Sequence, residues 1–167
     1  MREVGFFGGG SAFSLGPVSD VVLFFGCITS FVIPLNMDKN WSLITDKFYR
    51  RYLGLDELDD AIILMNDVKK VFSKIRSSSI EWNEVMIGDE TKTTLNPRLE
   101  FLSEIFFKYF EAFEHCVESA KIFYSTWGKY KPVRVGIANI PHFMLDERRP
   151  LSDYDNLSDT DKPFWLK

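Results

Sequence analysis

The sequence predicts one α+β domain, in which a mostly antiparallel sheet packs against two long amphipathic helices. Its 167 residues suit a single domain spanning residues 1–167. Segments 56–75 and 96–127 repeat apolar residues at helical spacing. Strand-like segments cluster at the beginning of the chain and after each helix, without the regular strand–helix alternation that builds a parallel sheet.

The first 37 residues predict strands and turns. Segments 4–7, 21–25 and 28–33 have the β-branched and aromatic content of strands, and a glycine-rich turn follows the first of them. The apolar segment 21–35 contains Thr29 and Ser30 and is shorter than the ~20 residues of a membrane-spanning helix. The charge of Arg2 is cancelled by Glu3, and glycines interrupt the apolar run that a signal peptide needs. We therefore expect a soluble, cytoplasmic protein with no membrane segment.

The middle of the chain predicts two helices and a strand. Residues 42–53 form a short helix, with Ser42 as its cap and Gly54 just past its end. Residues 56–75 form a longer one, capped by Asp56. Its apolar residues lie on one face: Leu58, Ala61, Ile62, Met65, Val68, Phe72 and Ile75. Apolar and polar residues alternate in part of segment 80–87, which predicts a strand.

The long helix 96–127 begins with Asn96 as its cap and Pro97 at its first position, where the missing N–H group costs nothing. Its apolar stripe is broad, so we expect the helix to be covered on more than one side. The stripe consists of Leu99, Leu102, Phe106, Tyr109, Phe110, Phe113, Val117, Ala120, Tyr124 and Trp127. Residues 133–140 predict the next strand, after which the chain becomes polar.

The charge of the chain is acidic and unevenly placed. The net charge is −4 and the pI is about 5.2, which argues against nucleic acid as a ligand because phosphate binding needs clustered Lys and Arg. Segment 146–161 alone carries a net charge of −4. It contains Asp146, Glu147, Asp153, Asp155, Asp159 and Asp161, with Arg148 and Arg149 as its bases. Residues 146–167 are therefore an acidic C-terminal tail.

No motif predicts a bound cofactor or metal. The run from Gly5 to Ser11 lacks the lysine of a phosphate loop, and Phe13 stands where a dinucleotide fingerprint has its third glycine. Glu111, His115 and Glu118 share a helical face at a workable metal-ligand spacing, but lysines nearby favour a solvated polar face. We expect a tight turn at the glycines and no metal.

Catalytic residues are equally hard to find. His115 lies beside Cys116, but adjacent helical residues point about 100° apart, which is poor geometry for catalysis. Cys27 and Cys116 are far apart in the sequence, and we expect both to be buried reduced thiols. We expect no enzymatic activity. The enzyme alternative is a small hydrolase or transferase that uses His142 with a distant carboxylate.

Residues 58–75 read LDDAIILMNDVKKVFSKI and follow a strand region rich in Gly and Phe. This stretch, together with the predicted architecture of a small acidic α+β protein, resembles the immunity proteins of bacterial contact-dependent growth inhibition systems. The resemblance covers mainly residues 20–140. It implies a non-enzymatic inhibitor that binds the toxic C-terminal domain of a large surface-displayed effector. Many such toxins are nucleases with basic clefts, which suit an acidic partner.

Three surfaces compete as the partner-binding site. The tail concentrates charge without a local structural reason and carries aromatic residues beside it, which favours Asp153, Tyr154, Asp155, Asp159, Asp161 and Trp165. The second surface is the acidic helix start of Asp56, Glu57, Asp59 and Asp60, which the helix macrodipole also explains. The third is the aromatic surface of helix 96–127, on which an adaptor would dock a helix or peptide.

Overall fold

The computed structural model describes residues 2–82, 93–128, 130–140 and 148–167. Their fold is α+β, as predicted: a four-stranded antiparallel sheet packs against several helices. The order of strands across the sheet is β2-β1-β4-β3. The strands are β1 (Glu3–Gly8), β2 (Ser11–Pro17), β3 (Tyr52–Gly54) and β4 (Arg134–Ile140).

A tight hairpin joins β1 to β2, as the glycine run predicts. Gly8 pairs with Ser11, so that only Gly9 and Gly10 form the turn, with φ angles of +60° and +81°. Two consecutive positive φ angles are typical of a hairpin turn whose twist matches that of the strands. Strand β1 then pairs with β4 along its other edge, with Phe6 opposite Ile137.

Five α-helices lie among the described residues, in addition to shorter helical turns. They are α1 (Val18–Cys27), α2 (Leu58–Phe72), α3 (Leu102–Ile105), α4 (Phe107–Trp127) and α5 (Leu151–Asp155). Helix α1 continues through a π-helical segment, Ile28–Val32, and a 3-10 turn, Ile33–Leu35. A second π-helical segment covers Leu43–Phe48.

The prediction of strands at 21–25 and 28–33 is wrong, because Val18–Leu35 is helical. Its aromatic and β-branched residues favour strands locally, but Phe24, Phe25 and Ile28 are buried by the sheet and by other helices, and this packing outweighs propensity. By length and composition Val18–Leu35 would suffice to cross a membrane. A buried core helix meets the same criteria, so the expected absence of a membrane segment stays a prediction.

The two helices in the middle of the chain differ from prediction at their ends. The short helix predicted at 42–53 ends at Arg50, and β3 takes up Tyr52–Gly54. Helix α2 begins at Leu58, after the 3-10 turn Leu55–Glu57. Asp56 therefore does not cap it. Instead the Glu57 carboxylate accepts a hydrogen bond of 3.0 Å from the backbone N–H of Gly54.

The long helix predicted at 96–127 begins later than expected. The Asn96 side chain accepts a hydrogen bond of 3.0 Å from the backbone N–H of Arg98, which forms a local turn. The chain becomes helical only at Leu102, and Phe106, with φ −100° and ψ 21°, separates α3 from α4. Most of the strand predicted at 80–87 lies outside the described residues, and residues 80–82 form no strand.

A cluster of aromatic rings lies in the core between the sheet and the helices. The ring of Phe24 lies within 6 Å of the rings of Phe72, Phe106 and Phe110, which brings α1, α2 and α4 together. Such edge-to-face contacts add to the free energy of burial. The N-terminal part of α4 is covered as predicted, but Ile122, Tyr124 and Trp127 near its end are exposed.

Candidate functional site

The C-terminal tail folds back against the domain. The indole Nε1 of Trp165 donates a hydrogen bond of 2.8 Å to the backbone carbonyl of Tyr49. The guanidinium of Arg51 donates to the carbonyls of Tyr154, at 3.2 Å, and Leu157, at 2.8 Å. The described part of the acidic tail, residues 148–167, is therefore tied to the segment that precedes β3.

The two aromatic residues predicted to contact a partner are part of the domain's own packing. The exposed fraction is 3% for Tyr154 and 2% for Trp165. The Tyr154 ring lies edge-on to Tyr52 and to Phe164, with both pairs of ring centres 5.3 Å apart. In this conformation Tyr154 and Trp165 hold the tail in place and offer no contact area to a partner.

The acids of the tail remain at the surface. Asp153, Asp155, Asp159 and Asp161 are all exposed. Asp161 differs from the others because its carboxylate accepts a hydrogen bond of 2.9 Å from the backbone N–H of Ser158. That hydrogen bond holds the pKa of Asp161 below its usual range. Asp161 thus has a structural role within the tail, which its position in the sequence does not reveal.

The acids at the start of α2 divide into paired and unpaired residues. Glu57 forms an ion pair with Lys47 at 2.7 Å, and Asp59 forms one with Lys121 at 2.8 Å. Asp56 and Asp60 are exposed and make no ion pair among the described residues. Of the four acids, these two are therefore the ones without an ion-pair partner in the described part of the chain.

The tail and the helix start meet at one depression, although about a hundred residues separate them in the sequence. Asp155 from the tail and Glu57 from the helix start both line it, and its volume is about 400 Å³. The remaining lining residues are Asn40, Ser42, Leu43, Asp46, Lys47 and Arg51. Two surfaces that the sequence treats as alternatives are therefore neighbours on one face.

Fixed ion pairs organise this depression. Arg51 lies 3.3 Å from the carboxylate of Asp46, and Lys47 binds Glu57. Asp155 makes no ion pair within the part of the chain that the structure describes. Sequence reasoning missed Asp46, Lys47 and Arg51, although a helical run that alternates in charge is a signal for an ion-paired surface.

The described residues that were candidates for catalysis, Cys27, His115 and Cys116, do not form a reactive cluster. Burial raises the pKa of the Cys27 and Cys116 thiols to about 12, so neither is a ready nucleophile. His115 stacks on Phe13, with ring centres 5.5 Å apart, and no group of three metal-ligating side chains occurs among the described residues. His142 lies outside the described residues.

The exposed end of α4 forms the third candidate surface. The exposed fraction is 60% for Ile122, 50% for Tyr124 and 52% for Trp127, and Tyr130 just beyond the helix reaches 78%. Large exposed apolar side chains that lie together often mark interaction sites. This surface consists only of the last two turns of the helix, because Tyr109, Phe113 and Val117 earlier in α4 are buried.

Comparison of the chain with protein-family models, with curated proteins and with solved structures gave no match.

Proposed function

We propose that this protein is a non-enzymatic inhibitor of the immunity type, which binds the toxic C-terminal domain of a contact-dependent inhibition effector and protects the producing cell. One observation supports this most. Asp155 of the tail and Glu57 of the helix start line the same depression, so acids from two distant segments lie on one face. A basic toxin domain is the kind of partner that such a face would attract.

The face, called here the acidic face, consists of Asp46, Glu57 and Asp155, with Lys47 and Arg51. The exposed acids Asp56, Asp60, Asp153 and Asp159 lie close to its members in the sequence. Its exposed acids would steer a basic partner and set the rate of association. Its ion pairs hold Asp46 and Glu57 in fixed positions, which lowers the entropy lost when a partner docks. Leu43 contributes apolar area to the lining of the depression.

The first test concerns the partner. If a gene for a large secreted protein lies immediately upstream, the C-terminal domain of that protein is co-expressed with this chain and isolated by pull-down. We expect a stable complex and relief of the toxin's growth inhibition. If a toxic domain is found there and this chain neither binds nor protects against it, the proposal is wrong.

The second test locates the contact surface. The variant Asp153→Asn/Asp155→Asn/Asp159→Asn removes three exposed charges from the tail, among them that of Asp155 in the acidic face, and leaves Asp161 in place. At low salt, association should slow by about tenfold and lose much of its salt dependence, as expected for steering by charge. The matched control Glu104→Gln/Glu111→Gln/Glu114→Gln changes the net charge equally at exposed positions on α3 and α4. Equal effects of both variants would show that net charge matters and the acidic face does not.

A second candidate function is that of an adaptor that docks a helix or peptide on the aromatic end of α4. The exposure of Ile122, Tyr124, Trp127 and Tyr130 favours it. Aromatic residues are the commonest hot spots of interfaces. Loss of partner binding in Trp127→Ala/Tyr130→Ala, with normal binding in the acidic-face variant, would favour the adaptor over the inhibitor that uses the acidic face.

A further inference from the structure

A second cavity, of about 410 Å³, lies on another part of the surface, between the β1–β2 turn, the end of α4, the start of β4 and the segment before α5. It is lined by Gly9, Gly10, Phe123, Lys131, Pro132, Val133, Arg134, Arg148, Arg149, Pro150 and Leu151. This volume lies within the range of small-ligand sites, toward its lower end. The cavity is separate from the acidic face and shares none of its residues.

The lining of this cavity contains four cationic side chains: Lys131, Arg134, Arg148 and Arg149. No Asp or Glu is among the described residues that line it. This is the reverse of the whole chain, whose net charge is −4. Exposed cations beside a cavity attract anions into it, and Lys131 and Arg148 are the two exposed cations here.

The arginines nearest the core are held by contacts with the fold. Arg134 on β4 is 6% exposed and donates a hydrogen bond of 2.7 Å to the carbonyl of Arg149. The guanidinium carbon of Arg149 lies 3.9 Å from the centre of the Phe164 ring, and that of Arg134 lies 5.8 Å from the Tyr154 ring. These contacts position two guanidinium groups before a ligand arrives.

The cations at the surface are differently placed. Lys131 and Arg148 are exposed, and neither side chain makes a hydrogen bond or ion pair within the described part of the chain. Both are therefore able to move toward a ligand. A guanidinium and an ammonium side by side are a common arrangement for binding phosphate.

The rest of the cavity is apolar and partly open. Phe123, Val133 and Leu151 contribute apolar surface, and the prolines add more. At Gly10 a Cβ atom would meet no other atom within 4 Å, so the turn leaves open space there. A ligand that places a phosphate among the cations would have room for an apolar group against these walls.

We propose that this cavity binds a small phosphorylated ligand that carries an apolar or aromatic group. Lys131 and Arg148 bind the phosphate, Arg134 and Arg149 form part of the wall behind it, and Phe123 with Leu151 contacts the apolar part. The site is independent of the acidic face, and it requires neither a toxin partner nor any catalytic step.

The probe for this proposal is phenyl phosphate, compared with inorganic phosphate and with phenol by isothermal titration calorimetry on the full chain. Phenyl phosphate should bind at least about tenfold more tightly than either fragment, since it alone satisfies both parts of the cavity, and its affinity should fall as salt rises. Phenol that binds as tightly as phenyl phosphate would overturn the proposal, and so would the absence of any binding by phenyl phosphate.

The variant Lys131→Gln/Arg148→Gln removes the two exposed cations and should weaken phenyl phosphate binding by about tenfold or more, because charge-assisted hydrogen bonds are lost. The control Lys74→Gln/Arg98→Gln changes the net charge equally at exposed positions that do not line the cavity. It should weaken binding less than about threefold. Equal weakening by both variants would mean that phosphate binds through net charge alone, and the cavity would not be the site.

Discussion

The indole of Trp165 and the backbone of Tyr49 join the end of the chain to its middle. The Trp165 Nε1 donates a hydrogen bond of 2.8 Å to the Tyr49 carbonyl, and the two rings meet edge-on with their centres 5.2 Å apart. Because Tyr49 also lies edge-on to Phe25, with ring centres 4.9 Å apart, the contact reaches the helical core. The tail is thus an integral part of the fold.

Replacement of this indole should therefore destabilise the whole domain. We expect Trp165→Ala to lower the free energy of unfolding by about 3–5 kcal/mol, the usual cost of removing a buried Trp side chain. Trp165→Phe keeps an aromatic ring and should cost less. The control is Trp127→Ala, because Trp127 is 52% exposed, and it should cost at most about half as much as Trp165→Ala. Urea unfolding measures all three, and a Trp165→Ala variant as stable as Trp127→Ala would show that the tail is dispensable.

Asp20 is the fully buried carboxylate of α1, and its oxygens are saturated by donors from a distant segment. It accepts hydrogen bonds from the Thr93 hydroxyl at 2.8 Å, the Thr94 backbone N–H at 2.9 Å and the Thr94 hydroxyl at 3.1 Å. In Asp20→Asn an amide donor replaces one acceptor and faces these donors. We expect a loss of about 1–3 kcal/mol in the free energy of unfolding. The control is Asp38→Asn at an exposed position, whose free energy of unfolding should hardly change. Equal losses of stability in the two variants would contradict the role assigned to Asp20.

The fold class could be predicted because it depends on patterns that extend over many residues. The helix predicted from the spacing between Leu58 and Phe72 and the strand predicted at 133–140 are both present in the structure. Segment 18–35 could not be assigned from local propensity. Its aromatic residues are enclosed on several sides by α2, α4 and the sheet, and a buried helix of this kind has the same mostly apolar sequence as a buried strand.

The candidate site was only partly accessible to sequence reasoning, for a similar reason. The acids of the tail and of the α2 start are visible as charge clusters, but their meeting beside Asp46 depends on how the tail folds back. Exposed and buried aromatic residues also look alike in a sequence. Tyr154 is a residue type that is common among interface anchors, but only the structure reveals that its ring packs against Tyr52 and Phe164.

The buried thiols predict a specific loss of stability at alkaline pH. The pKa of Cys27 and of Cys116 is about 12 in the folded chain, above the ordinary value of 9.0. Between these values the unfolded chain releases the thiol protons while the folded chain retains them, so stability is full below pH 9 and falls as the pH rises. Each thiol should lower the free energy of unfolding by about 1.4 kcal/mol per pH unit in this range.

Urea unfolding at pH 8, 9, 10 and 11 measures this slope. The variant Cys27→Ala/Cys116→Ala should be less stable at pH 8 but should have a flatter slope above pH 9. Tyr109 should steepen the decline above pH 10 in both proteins, because burial, with a smaller contribution from the charge of Asp20, raises its pKa well above 10.0. Parallel slopes in the two proteins would contradict the assignment to the thiols.

The two glycines of the β1–β2 turn offer the sharpest paired comparison. Both have positive φ angles, which disfavour a side chain, so Gly9→Ala and Gly10→Ala should each destabilise the domain. At Gly10 a new Cβ would meet open space, whereas at Gly9 it would lie 2.2 Å from the backbone oxygen of Ser119 on α4. Helix or hairpin must then shift, and Gly9→Ala should cost about 1–3 kcal/mol more than Gly10→Ala. Thermal and urea unfolding of the two variants measure the difference, and equal losses would show that the hairpin does not press against α4 at Ser119.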